Sequence, residues 1–135
     1  MKLLTTYLDE MRCFLFPRKP CYYWGMSLLE RKCKPCEDKN MKPLDKDKAE
    51  ELLSEVSEWD MAKDGKKISR EFKFRDFLGS MGFIDKVADI AEIEGHHPDI
   101  HIYYDKVVLD LSTHSIGGLS ENDFIVAAKI NAIWR

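Results

Sequence analysis

Three histidines in this chain have the chemistry and the spacing to move protons. His96 and His97 are adjacent in Glu92-Ile93-Glu94-Gly95-His96-His97-Pro98, and His114 follows in Leu111-Ser112-Thr113-His114. An imidazole titrates near neutral pH, so one can donate a proton to a leaving hydroxyl while another accepts one from a ring nitrogen. A carboxylate partner would fix the tautomer and stabilise the charged form. Glu92, one helical turn before His96, is placed to orient an imidazole. Three histidines and a glutamate could also hold zinc. Adjacent histidines in an extended turn project in different directions, however, and HExxH spacing on a helix is absent. A polar turn plus one loop histidine would account for a single imidazole, but not for three that the topology brings together.

That topology follows from periodicity and turn signals. Asp45 reads as an N-cap, and Ala49, Leu52, Leu53 and Val56 give a helix to about Ser57. Trp59 to Lys63 reads as a short strand, Asp64-Gly65 as a hairpin turn, and Ile68 to Lys73 as the return strand, with Ile68, Arg70 and Phe72 on one side. Asp76 starts a long helix to about Glu94, whose predicted apolar stripe is Phe77, Met81, Ile84, Ala88 and Ala91. Gly95 is expected as its left-handed stop, reinforced by Pro98. Asp99 to Tyr104 and Val107 to Leu111 form a second hairpin around Asp105-Lys106, and a loop with Gly117 and Gly118 leads to Ser120. Ser120 caps the last helix with Asp123 at N3, and Phe124, Ala127 and Ala128 share one face while Val126, Ile130 and Ile133 share the next. The order α-β-β-α-β-β-α predicts an α+β fold, a four-stranded antiparallel sheet with three helices on one face. Paired strands of similar length bring their outer ends together, so His114 should lie near His96 and His97. His101, mid-strand, is expected at the surface or an interface.

The composition narrows the function class. The chain has 135 residues, 44% of them hydrophobic, a net charge of -3 and a pI of about 5.8. These figures suit one domain with a real core and argue against a nucleic-acid binder or a membrane-surface protein. No apolar run is long enough to span a bilayer. Cys13, Cys21, Cys33 and Cys36 are confined to the first quarter of the chain, which points to a reducing compartment and a cytoplasmic location. Residues 1–25, aromatic-rich and broken by Pro17 and Pro20, read as a peripheral extension, with Met26 as an alternative start. Residues 26–44 read as an arm carrying Cys33-Lys34-Pro35-Cys36, and residues 45–135 as the domain proper. The CxxC could be a redox pair or half a zinc site. It lacks the strand-before, helix-after context of a thioredoxin motif and two further ligands at zinc spacing, so a structural arm is the favoured reading.

Glu92, His96, His97, Pro98, Tyr104, His114 and Asp123 together resemble the signature of the pterin-4a-carbinolamine dehydratase family. The flanks resemble it too: the Cys33–Cys36 arm, the Trp59 strand, Arg70-Glu71-Phe72-Lys73-Phe74, Asp76-Phe77, Val87-Ala88 and Gly118-Leu119-Ser120. The resemblance covers about residues 28–133 and implies the same fold. It implies a hydro-lyase that removes water from a 4a-hydroxytetrahydropterin to give a quinonoid dihydropterin, recycling the cofactor of aromatic amino-acid hydroxylases. It implies no metal or organic cofactor, a homodimer or homotetramer, and no membrane or direct nucleic-acid partner. His96 and His114 are then assigned to acid/base work at the 4a-hydroxyl and N5, His97 to binding or orienting the pterin, and Glu92 to supporting the histidines. Pro98, Tyr104, Ser112 and Thr113, with Tyr103, are expected to line the pterin. Gly95 departs from relatives that carry an acid there, and Glu94 or Asp99 are the candidate replacements. Asp123 has a sufficient structural role at helix N3. The alternative reading is a non-catalytic module of the same fold, acting in assembly or as a dimerisation partner in transcription; a pterin-binding protein without turnover is the third.

Overall fold

The computed structural model describes residues 27–134; the expectations for residues 1–26, including Cys13, Cys21 and Met26, lie outside the described residues. After a 3-10 turn at Leu28–Glu30 come α1 (Lys46–Leu53), β1 (Asp60–Met61), β2 (Ile68–Lys73), α2 (Phe77–Glu94), β3 (Asp99–Tyr103), β4 (Lys106–Leu111), a second 3-10 turn (His114–Ile116) and α3 (Glu121–Ile133). The strands form one antiparallel sheet in the order β1-β2-β4-β3. The expected α+β architecture and element order are therefore found.

The capping residues act as the sequence leads one to expect. The Asp45 side chain accepts from Lys48 N at 2.8 Å and that of Asp76 from Gly79 N at 2.8 Å, each satisfying a first-turn donor. Ile68, Arg70 and Phe72 of β2 and Val107, Leu109 and Leu111 of β4 point to the helix side and are buried. Phe72, Phe83 and Trp134 pack their rings 4.7–5.5 Å apart and tie the sheet to α2 and to the chain's end.

Four local expectations shift. α1 stops at Leu53, and the chain then reverses through Glu58, a non-glycine residue at φ +67°. β1 is two residues long, because Trp59 turns inward, where its indole N–H donates to Asn131 Oδ1 at 2.8 Å. The buried stripe of α2 is Ser80, Phe83, Val87 and Ala91, so of the predicted stripe Ala91 is buried and Ile84 packs at its border. Phe77 is 45% exposed and Ala88 also faces solvent, because only the adjoining face of the helix meets the sheet and α3. α3 does not present two alternative faces: Asn122 through Ala127 are all buried, since the sheet, α2 and the N-terminal arm enclose its first turns.

Strand β3 is an edge strand. Ile100 and Ile102 share the helix side with Leu109 and Val107, yet they are 36% and 42% exposed because the helices do not extend over them. His101 is exposed, its Nε2 3.4 Å from Asp110 Oδ2 on the neighbouring strand. Among the described residues no helix is long and apolar enough to cross a membrane.

Candidate active site

The site is built where α2 stops. Gly95 adopts φ +64°, ψ 27°, and His96 N then bonds back to Ala91 O at 3.1 Å. A Cβ on Gly95 would meet nothing within 4 Å, so the backbone conformation alone selects glycine there. Gly95→Ala is expected to cost ~1–2 kcal/mol of left-handed strain. Chemical denaturation measures it, and an unchanged midpoint would mean that the turn relaxes instead.

Beyond the glycine the two histidines diverge. His96 turns inward and is 4% exposed. Its Nε2 lies 2.6 Å from Oδ1 of Asp123, which is fully buried on α3. The other carboxyl oxygen of Asp123 accepts from Ser120 N and from Thr113 Oγ1, both at 2.9 Å. A carboxylate offers only acceptors, so the pattern assigns the hydrogen to Nε2 of His96. Nδ1 on the far side of the ring faces Cys36 Sγ at 3.3 Å. His97 turns outward, 60% exposed, with its Nε2 2.7 Å from Glu92 Oε1. His114 opens the second 3-10 turn, 75% exposed, with its Nε2 3.7 Å from Asp99 Oδ2.

The fold thus gathers the three histidines as the strand pairing requires. His96 and the residue preceding His114 share one carboxylate, and His114 faces an acid two positions beyond His97. Glu92 supports His97 rather than His96. Of the candidates for the acid missing at Gly95, Asp99 faces His114, whereas Glu94 turns away to pair with Lys129 and to accept from Cys33 N at 3.0 Å. Burial pushes the Glu94 carboxyl up, but Lys129 and the Cys33 amide outweigh it and hold it below the usual carboxylate range.

Three of the expected pterin-lining residues stand elsewhere or are otherwise engaged. Tyr104 sits in the β3–β4 turn at φ +43°, its ring stacked 6.3 Å from that of Phe77 and its carbonyl taking the Ser80 hydroxyl. That is the opposite end of α2 from His97, and 18 helical residues rise ~27 Å. Tyr104 therefore does not join this cluster within one chain, and neither does Tyr103 at the same end of β3. The Thr113 hydroxyl is buried and committed to Asp123 and Ser120. Pro98 is buried beside His97, and Ser112 is half-buried next to Thr113.

Two members of the site were not expected. Asp123 was legible only as a helix N3 residue, although its place in the spaced signature was the available hint. Cys36 gave no signal toward His96, because the arm that carries it docks through contacts distant in sequence. Cys33, its CxxC partner, accepts a different environment: burial first and the adjacent Glu94 second push its thiol from 9.0 up to about 12. The folded state therefore holds this proton more tightly than the unfolded chain does. The resulting stabilisation is complete below pH 9 and is lost as pH rises toward 12. At pH 8 the native Cys33 thiol is expected to react with iodoacetamide on the order of 10²–10³-fold more slowly than in the unfolded chain, as peptide mapping by mass spectrometry would record.

An α+β sheet-and-helix domain that pairs imidazoles with carboxylates carries groups able to exchange protons, and comparison with known proteins gives the class. The family model for pterin 4 alpha carbinolamine dehydratase matches residues 42–133. A protein of Halorhodospira halophila, named provisionally as such a dehydratase, is 44% identical over 80% of this chain and 98% of its own length. Pterin-4-alpha-carbinolamine dehydratase 2, mitochondrial, of Arabidopsis thaliana is also 44% identical, over 78% of this chain and 58% of that protein. The crystal structure of a transcriptional coactivator/pterin dehydratase from Brucella melitensis superposes with a TM-score of 0.66 at 35% identity, covering 70% of this chain and all of that one. The chain belongs to the pterin 4 alpha carbinolamine dehydratase family, a family of lyases.

Proposed function

We propose that this protein removes water from a 4a-hydroxytetrahydropterin, giving a quinonoid dihydropterin and so recycling the cofactor of aromatic amino-acid hydroxylases. The reaction is a redox-neutral elimination. The C4a–O bond breaks as its hydroxyl takes a proton and leaves as water, and the N5 proton passes to a base. The observation that carries this reading is that three imidazoles, each with a carboxylate partner, lie on the adjoining turns after α2 and β4, inside the family-matched segment. His96 and His114 are assigned the acid and base roles, with Asp123 and Asp99 as the anions that stabilise their charged forms. His97, exposed and held by Glu92, binds or orients the pterin.

Synthetic 4a-hydroxytetrahydropterin, followed by its ultraviolet spectrum, tests the reading. The wild type should accelerate its loss above the spontaneous rate, and no acceleration would overturn the proposal. We place the protein in the cytoplasm, which fluorescence of a tagged full chain in its own cell would check.

The assembly reading is a homo-oligomer. β3 leaves one side of its backbone unpaired, and Ile100, Ile102 and Tyr103 on it are 36–57% exposed. Light scattering of the purified protein is expected to give a dimer or tetramer; a monomer at micromolar concentration would refute it. The same exposed strand is what favours the second functional reading, a dimerisation or assembly partner, which can coexist with turnover.

A further inference from the structure

We propose that Cys36 is a positioning residue for His96, with its thiol holding the Nδ1 side of the ring while Asp123 holds the Nε2 side. This rests on the reading of His96 as part of the acid/base set. The contact joins two distant segments: Cys36 lies before the residues matched by the family model, and His96 lies on the turn after α2.

The arm is anchored so that the thiol has little freedom to leave. Lys34 N donates to Asn122 Oδ1 at 2.9 Å, and Asn122 Nδ2 donates back to Lys34 O at 2.7 Å. Asn122 is 2% exposed, so the arm is tied to a side chain fixed in the interior. The same amide nitrogen lies 3.6 Å from Cys36 Sγ. The Cys36 carbonyl accepts the Ser115 hydroxyl at 2.8 Å, and Ser115 follows His114 directly. One residue thus touches His96 with its side chain and the His114 turn with its backbone.

The chemistry of a thiol fits this place. With the hydrogen on Nε2, the bare Nδ1 of neutral His96 accepts from the Cys36 S–H. When Nδ1 becomes protonated, the sulfur turns into the acceptor, so the ring keeps one orientation in both states. A histidine with a partner on only one nitrogen could tilt or exchange tautomers. Partners that orient metal-bound histidines set a scale for such an effect, about 10-fold or more in activity.

The test compares wild type with Cys36→Ala and Cys36→Ser. The serine keeps a donor at this position and the alanine does not. In substrate-free protein labelled with ¹⁵N at histidine, the Nδ1 resonance of His96 should move toward that of an imidazole nitrogen without a hydrogen bond in Cys36→Ala, and should stay near the wild-type position in Cys36→Ser. In the dehydration assay, kcat should fall about 10-fold in Cys36→Ala with KM within twofold, and Cys36→Ser should recover most of it. An unmoved Nδ1 resonance in Cys36→Ala overturns the proposal, and so does a loss of rate that serine does not rescue, which would mark the arm's packing as the cause. The resonance is read without substrate, so an inactive wild type would refute the assigned reaction and leave this test standing.

Discussion

Asp123→Asn is expected to yield a folded protein that has lost most of its activity, and Asp123→Ala one that is markedly unstable as well. The fully buried carboxylate receives Ser120 N, Thr113 Oγ1 and His96 Nε2. Asparagine keeps the shape but supplies only one acceptor oxygen. The fixed donor, the Ser120 N–H, claims that oxygen, and Thr113 shares it. The amide NH₂ is then left facing His96 Nε2, where donor meets donor unless the ring gives up that hydrogen. His96 is driven to the opposite tautomer, its Nδ1 acquires the hydrogen, and the Cys36 thiol loses the lone pair it faced. Tautomer reversal of this kind is known to disable a catalytic histidine whose carboxylate partner becomes an amide. The expected loss in kcat is on the order of 10²–10⁴-fold, bounded below by the spontaneous reaction. Alanine removes all three acceptor contacts at once. The buried donors left behind make a loss of about 3–5 kcal/mol the expected result in denaturant titration. An Asp123→Asn protein with the full wild-type rate would show that His96 takes no part in proton transfer.

His114→Ala should lose activity with almost no change in stability. The imidazole is 75% exposed, and its nearest anion is 3.7 Å away and itself 59% exposed. Nothing in the core depends on it, so stability should change by no more than about 0.5 kcal/mol. If His114 carries a proton in the elimination, kcat falls on the order of 10²–10⁴-fold, again down to the spontaneous floor. His96→Ala is the informative contrast. It leaves Asp123 buried without its closest partner, so rate and stability should fall together. His97→Ala, as a binding-residue change, should raise KM more than it lowers kcat. The three histidine variants therefore give distinct signatures in one assay and one melting experiment. Full activity in His114→Ala would remove it from the acid/base pair and leave His97 as the open imidazole able to serve.

Much of this arrangement is legible in the sequence, and the legible parts share a cause. The α2 boundaries, its Asp76 cap, the Gly95 stop, the alternation along β2 and the Ser120–Asp123 start of α3 are fixed by residues within four positions of one another. Side-chain caps, a left-handed glycine and alternation along a strand act over that range. The spaced histidines gave the chemistry because strand pairing must bring the ends of β3 and β4 together. Local pattern was less reliable wherever burial depended on what lay across the molecule. Phe77 continued a good apolar stripe, yet it lies beyond the sheet and stacks on Tyr104 near the surface. α3 carries polar Asn122 and Asp123 into the interior because each finds partners there from segments far away in sequence.

The sequence by itself determined the fold class, the family and the three imidazoles with their nearby acids. Only the tertiary structure decided what those groups touch. It sent Tyr104 to the far end of α2, gave Glu92 to His97, and turned Glu94 to Lys129. It also buried His96 between Asp123 and Cys36. The physical reason is the range of the interactions. Two adjacent histidines look alike along the chain, but the turn after Gly95 points one to solvent and one inward. What the inner one meets is set by a helix and an arm that reach it only after the whole domain has closed.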